Sequence, residues 1–354
     1  MKLAALVHTS NAVAAASGRL EKISRLADFL KQLTPDEVPI AIGFFIGWPR
    51  QGRIGVGWAT VADASAAEPA MTATLELADV DAAFDAMQAA KGKGSSAERL
   101  RLVREMFARA TPDEQRFLSA LVVGEVRQGA LEGVMLDAVA KASGVPANQL
   151  RRAVMMAGDL GIVARAVCAG GEAALRALAT YRLELFRPVQ PMLADSAEDV
   201  AEALGMTGRA TVEWKLDGAR IQVHRAGDRV AVYTRSLNEV TSRVPEVVDA
   251  VLRFHASELI LDGEVIALMP DGRPLSFQDT MQRFGRRLNV DAMRTQLPLT
   301  PFFFDVLLHD GEEVVDRPVS SRLELLETIV PSAYRVPRVV TTDVEEAKRF
   351  QADA

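Results

Sequence analysis

Pro188 and Pro191, set close together in Leu185-Phe186-Arg187-Pro188-Val189-Gln190-Pro191-Met192-Leu193-Ala194, constrain the fold more than any other feature of the chain. A proline lacks the backbone donor and fixes φ, so this stretch cannot continue a helix or lie within a central strand. An extended segment crossing between domains is expected there. Before it, apolar residues recur at helical spacing, as in Leu100, Val103 and Phe107, or Phe117, Leu118, Leu121 and Val122. Thr34-Pro35-Asp36-Glu37 and Thr111-Pro112-Asp113-Glu114 each place Thr at an N-cap, Pro at N1 and Glu at N3; Ser95-Ser96-Ala97-Glu98 is a third capping box. The exception is Arg53-Ile54-Gly55-Val56-Gly57-Trp58, whose alternation predicts a short extended piece. Beyond the prolines the period becomes two: Ile221 and Val223 alternate with Gln222 and His224, and Gly227-Asp228 turns into Val230 and Val232. Val244–Leu252 and Ser276–Phe284 read as helices, and Phe302–Leu308 as a buried strand. The expectation is an all-α domain over 1–187, an entry segment over 188–208 and an α+β domain from 209.

The 354 residues, 49% of them hydrophobic, suffice for two or three domains with ample cores. No apolar run reaches the ~18 residues of a membrane span, and Met1–His8 is too short and polar for a signal peptide. A single cysteine, Cys168, excludes an internal disulfide and a cysteine metal cluster, and fits a reducing cytoplasm. Of the net charge of −6, residues 1–187 carry 22 Lys+Arg against 20 Asp+Glu, or +2, and the remainder 19 against 27, or −8. A near-neutral first half can still present a basic face.

Glu213-Trp214-Lys215-Leu216-Asp217-Gly218-Ala219-Arg220 carries the chemistry. Lys215 lies between a strand-like run, Ala210–Trp214, and an Asp-Gly turn, a suitable place for a covalent nucleophile. Attack on phosphorus needs the neutral amine, which neighbouring cations such as Arg220 favour. The bland alternative is a hairpin turn. In the first half, Lys91-Gly92-Lys93-Gly94-Ser95-Ser96 lacks Walker A spacing, but its lysines and the following helix start could hold a nucleic-acid phosphate. Glu132-Gly133-Val134-Met135 is expected to be helical, with Val134, Leu136 and Val139 in the core.

The spacing K-x-D-G-x-R resembles motif I of the covalent nucleotidyltransferases, the family of ATP-dependent DNA ligases, RNA ligases and mRNA capping enzymes. Three companions follow in the family's order: Tyr233-Thr234-Arg235-Ser236 is similar to motif Ia, Leu261-Asp262-Gly263-Glu264 to motif III, and Phe304-Asp305-Val306-Leu307 to motif IIIa. The resemblance implies that Lys215 takes up AMP from ATP and that Arg220 belongs to the ATP site. It also implies that Arg235 meets phosphates, Glu264 the ribose and a nearby metal, and Phe304 the adenine face, with Glu213 reading the adenine amino group. The chemistry agrees: arginines fork onto phosphate oxygens, a carboxylate accepts from ribose hydroxyls, and a flat ring suits a purine. Singly, Phe304 could be core, Arg235 a hairpin charge and Glu264 a turn cap; together, in order, they favour the family.

Residues 1–187 look like the helical DNA-binding domain that precedes adenylation in archaeal-type and replicative eukaryotic-type ATP-dependent DNA ligases, with Lys91, Lys93, Ser95 and Ser96 its candidate DNA contacts. The remainder looks like part of the adenylation domain, an α+β nucleotidyltransferase (ATP-grasp-like) fold. Ala354 comes before any motif IV, V or VI and before an OB-fold, so a truncated ligase is expected. The implied activity is sealing of 3′-hydroxyl/5′-phosphate nicks in duplex DNA through a lysyl-AMP intermediate, with ATP and Mg²⁺ as cofactors. The expected partner is nicked DNA, with no membrane contact; a monomer is expected, and a sliding-clamp contact is left open. The setting would be replication, repair or recombination, linked to cell division, in the cytoplasm and at the nucleoid. Alternatives are a non-catalytic DNA-binding remnant, a capping enzyme or an RNA ligase.

Overall fold

The computed structural model describes residues 1–52, 54–65, 68–126, 132–191, 194–269, 271–285, 294 and 296–354. Arg53 of the expected extended piece, and Met192 and Leu193 of the entry segment, lie outside them. The chain forms two compact units, Met1–Arg182 and Leu183–Ala354. No described helix is long and apolar enough to cross a membrane.

The first unit is helical: α1 (Leu3–Ala15), α2 (Arg19–Leu30), α3 (Glu37–Ile46), α4 (Trp58–Ala64), α5 (Leu77–Ala89), α6 (Ser95–Ala108), α7 (Pro112–Val123), α8 (Glu132–Ser143), α9 (Ala147–Ala157), α10 (Leu160–Val167) and α11 (Gly171–Ala179). Their apolar stripes meet in one core that includes Leu26, Phe44, Phe84, Phe107, Leu118 and Val139. Thr111 caps α7 through a reciprocal capping box with Glu114. Two expected starts differ. Helix α6 begins one residue early, on Gly94 in the left-handed region (φ 94°), so Ser95 is already helical and no side chain caps it. In α3 the cap falls on Asp36, although Glu37 still accepts from the Thr34 amide at 2.9 Å. No strand forms among the described residues of 54–58, because Trp58 opens α4.

In the second unit a short helix, α12 (Val200–Thr207), leads to β1 (Ala210–Glu213), β2 (Ala219–Ala226) and β3 (Arg229–Thr234). There follow α13 (Pro245–Val251), β4 (Glu258–Ala267), α14 (Phe277–Phe284), β5 (Leu299–His309), β6 (Glu312–Glu313), α15 (Val319–Ile329), β7 (Arg338–Thr341) and α16 (Val344–Ala352). One antiparallel sheet has the order β3-β2-β4-β5-β6, and a separate pair joins β1 to β7. The sheet's buried face, with Ile221, Val223, Leu261, Phe303 and Val306, packs with α13 and α15 residues such as Val247 and Leu326 in one core.

The unit boundary precedes the expected 187 because Phe186 is already tied to the sheet. Its N–H donates to His224 Nδ1 at 2.9 Å, its carbonyl accepts from the Tyr233 hydroxyl at 2.9 Å, and its ring lies 3.6 Å from Arg229 Cζ. Since Phe186 donates, Nδ1 accepts, so His224 is neutral with its proton on Nε2, directed at Gln222 Oε1. Burial holds this imidazole down at about 4.

Candidate active site

Lys215 sits where the chain passes from one sheet to the other. Strand β1 pairs with β7, and β2 pairs with β3 and β4, so Lys215-Leu216-Asp217-Gly218 is a crossing and not a hairpin turn. Gly218 makes the crossing possible. A Cβ there would stand 2.3 Å from the Val265 carbonyl oxygen and 2.4 Å from Ile266 Cγ2, inside van der Waals contact. The turn therefore lies directly on β4, and the Gly218 backbone hydrogen-bonds the Glu264 carboxylate. Burial pushes that carboxyl up to about 7, opposed by this hydrogen bond and by the charges of Arg220 and Lys215.

Asp262, Gly263 and Glu264 lie in mid-strand on β4, not on a turn, and Arg220 and Glu264 face each other in register. Arg220 reaches Asp262 with Nε at 3.1 Å and Nη2 at 2.7 Å, and its Cζ lies 5.4 Å from the Phe304 ring centroid. Arg220 is thus no free cation beside the lysine: a buried carboxylate holds it in a bidentate fork. On β5 the triple phenylalanine divides by face. Phe303 is fully buried against Phe254, whereas Phe302 and Phe304 stay partly accessible on the other side.

These groups converge on one cleft of about 950 Å³, lined by Glu213, Lys215, Arg220, Arg235, Glu264 and Phe304 among others. Arg235 is exposed at its edge, on the turn after β3 where Leu237 takes a positive φ of 61°. Glu213 is exposed by area but stands between protein walls. Burial raises its carboxyl to about 7; Arg338 opposes the rise and Asp305 adds to it. In the first unit, Lys91, Lys93 and Ser96 are exposed and Ser95 is half-buried, on a loop whose Gly92 and Gly94 have positive φ. The arginines behind this loop are engaged elsewhere: Arg101 pairs with Glu98, Arg104 with Asp63 and Arg109 with Asp79, while Arg99 donates to the Met87 carbonyl.

Several residues of the site carry no motif role. Asp262 fixes Arg220, and Asp305, its partner across β4 and β5, is gripped by Arg322 at 2.8 and 2.9 Å. Both carboxylates follow or precede a motif residue by one or two positions, which could have marked them. Helix α14 turns Phe277, Met281 and Phe284 toward the cleft, with Phe277 and Met281 exposed. Their i, i+4, i+7 spacing is the signal of an apolar face, though not of what it faces. Arg338 had no local signal, because only the β1–β7 pairing brings it opposite Glu213.

Two family models match the chain: "DNA ligase N terminus" over residues 59–140 and "ATP dependent DNA ligase domain" over residues 191–354. A probable DNA ligase of Anaeromyxobacter sp. strain Fw109-5 is 52% identical over 351 residues, covering 99% of this chain and 67% of that protein. The chain belongs to the ATP-dependent DNA ligase family. A probable DNA ligase of Pseudarthrobacter chlorophenolicus is 49% identical over 354 residues, covering 100% of this chain and 68% of its own length. The chain thus spans about two thirds of the length of these ligase relatives. A solved structure described as Pmar-Lig_Pre matches 98% of the chain and 69% of its own with a TM-score of 0.51 at 14% identity, a likeness of fold.

Proposed function

We propose that the chain carries the nucleotide-transfer centre of a nick-sealing DNA ligase, with Lys215 as the nucleophile. One observation carries the reading: residues from four separated motifs line a single cleft around Lys215. Lys215 Nζ, once neutral, attacks the α-phosphorus of ATP; the new N–P bond forms as the bond to pyrophosphate breaks. AMP then passes to the 5′-phosphate at a nick, and the 3′-hydroxyl displaces it. Phe304 offers its ring to the adenine face, Glu213 accepts from the adenine amino group, and Glu264 accepts from the ribose. Arg235 and the free edge of Arg220 face the phosphates.

No group of three or more potential metal ligands stands ready among the described residues. That suits Mg²⁺, which keeps several waters and takes one or two carboxylates together with substrate phosphates. Glu264 fits as such a carboxylate, beside the lysine and next to the phosphate edge of the cleft. Bound there, the ion would neutralise phosphate charge. We assign weak duplex DNA binding to the helical unit, through Lys91, Lys93, Ser95 and Ser96 at the start of α6.

Incubation with α-labelled ATP or GTP and Mg²⁺, followed by denaturing electrophoresis, tests the reading. Label from ATP that Lys215→Ala removes is the expected result. Label from GTP in preference to ATP would overturn the adenine roles given to Glu213 and Phe304. Absence of label from either would leave a DNA-binding remnant without transfer chemistry.

A further inference from the structure

A second cavity of about 870 Å³ adjoins the cleft and shares Glu213 and Phe304 with it, so these two residues stand at the threshold between the two spaces. Arg338 lines this second cavity. It faces Glu213 in register across the antiparallel pair β1–β7, which puts both side chains on one face. Its Nη2 is anchored by the Leu323 carbonyl at 3.2 Å and by Glu327 at 2.5 Å, both from α15. Its Nη1 is buried without a hydrogen-bond partner. Burying a guanidinium nitrogen without a partner costs stability, so the packing that holds Arg338 beside this cavity is maintained against that cost.

We propose that Arg338 is a positioning residue that biases Glu213 toward its ionised, acceptor-only form and so makes the site favour a purine with an amino group, not an oxo group, at C6. The inference rests on the nucleotide reading above and goes beyond it to the origin of base choice. An ionised carboxylate can only accept. It pairs with the amino group of adenine and opposes the carbonyl of hypoxanthine or guanine. A neutral carboxyl can donate, and the discrimination then weakens or reverses.

The choice is poised. Arg338 on β7 favours the ionised form, while Asp305 on β5 works against it although Arg322 compensates Asp305. Glu324 and Glu327 on α15 add negative charge around the cavity, Arg209 before β1 adds positive charge, and Lys215 stands on Glu213's own turn. Burial alone would carry the Glu213 carboxyl into the neutral range, and it already lies at about 7 with Arg338 present. Removing Arg338 would push the Glu213 carboxyl further up and favour its neutral form.

The experiment is equilibrium binding of AMP and of inosine 5′-monophosphate by calorimetry, from about pH 6 to about pH 8, to the full chain and to Arg338→Gln, Arg338→Lys and Glu213→Gln. The wild type should favour AMP by roughly ten-fold or more at the upper end, because a mismatched buried polar pair costs about that much. Its preference should fall as the pH drops through 7. Arg338→Gln should lose the preference across the range, and Arg338→Lys should keep most of it. In Glu213→Gln the ratio should no longer depend on pH. A purely structural role for Arg338 would weaken both nucleotides alike. An unchanged ratio and pH profile in Arg338→Gln, with AMP still bound, would therefore overturn this inference alone. Absence of AMP binding by the wild type at every pH would overturn the nucleotide reading, and this inference with it.

Discussion

Gly218→Ala places one methyl group where the crossing turn meets β4, and its effect can be worked from the contacts. The added Cβ would lie 2.3 Å from the Val265 carbonyl oxygen, whereas ordinary van der Waals contact begins at 3.4 Å. Neither this oxygen nor the backbone behind it can rotate away, because Ala219 and Val265 are register partners on paired strands. The turn must therefore lift by about 1 Å, the difference between those two distances. Overpacking of this kind costs about 1–3 kcal/mol. In a unit of this size that lowers the melting temperature by about 2–12 °C. The same displacement moves Lys215 relative to Phe304 and Glu264, and a 1 Å error in placing a reacting group costs about 10²-fold in rate. Gly205→Ala is the control: Gly205 lies in α12 with nothing within 4 Å of its added Cβ, so it should be neutral or slightly stabilising. Calorimetric melting and single-turnover labelling with α-labelled ATP give the two readouts. If Gly218→Ala melts and reacts like Gly205→Ala, the turn does not rest on β4 as argued.

Lys215→Ala and Lys215→Arg should both abolish covalent labelling while AMP binding persists, because a guanidinium stays protonated and cannot attack; label on either variant would move the nucleophile elsewhere. Phe304→Ala should weaken AMP binding by about 1–3 kcal/mol with little change in melting. Phe303→Ala, which empties a fully buried site, should cost about 3–5 kcal/mol of stability, and equal melting of the two variants would contradict the division of faces on β5. His224 has a folded value of about 4 against an ordinary 6.5, so the unfolded chain takes up its proton first; this group's stability contribution is intact above 6.5 and lost as pH falls toward 4. The loss is on the order of 3 kcal/mol, and because Glu213 and Glu264, both raised to about 7, act with opposite sign, the test is the flatter acid limb of His224→Gln against wild type. Residues 1–182 should bind duplex DNA with a shallow salt dependence that the joint change of Lys91 and Lys93 to Ala flattens further, measured by fluorescence anisotropy; salt-independent binding would remove the phosphate-contact assignment.

What the sequence showed and what it hid divide along the range of the interactions. Capping at Thr111, the helical core positions Val134, Leu136 and Val139, and the existence of strand β2 are set by residues a few positions apart, and these were legible; that Gln222 and His224 are buried as well as Ile221 and Val223 was not. Where two local signals compete, the reading slipped. Gly94 can occupy the left-handed region and so starts α6 before Ser95 can cap it. Trp58 joins a helix because Val61 and Ala64 need burial, which outweighs the alternation of the residues before it. The motif spacing picked out residues that line the cleft but left the shape of the turn open, since K-x-D-G looks the same in a hairpin and in a crossing between sheets. Only long-range pairing decides between them, and β7, which claims β1, lies more than a hundred residues downstream. The same pairing brings Arg338 opposite Glu213. The site as proposed takes its nucleophile from a local motif and its electrostatic setting from distant strands. The chemistry of such a site is therefore readable from the sequence before its selectivity is, and selectivity is the property a substitution at Arg338 should change without touching the motifs.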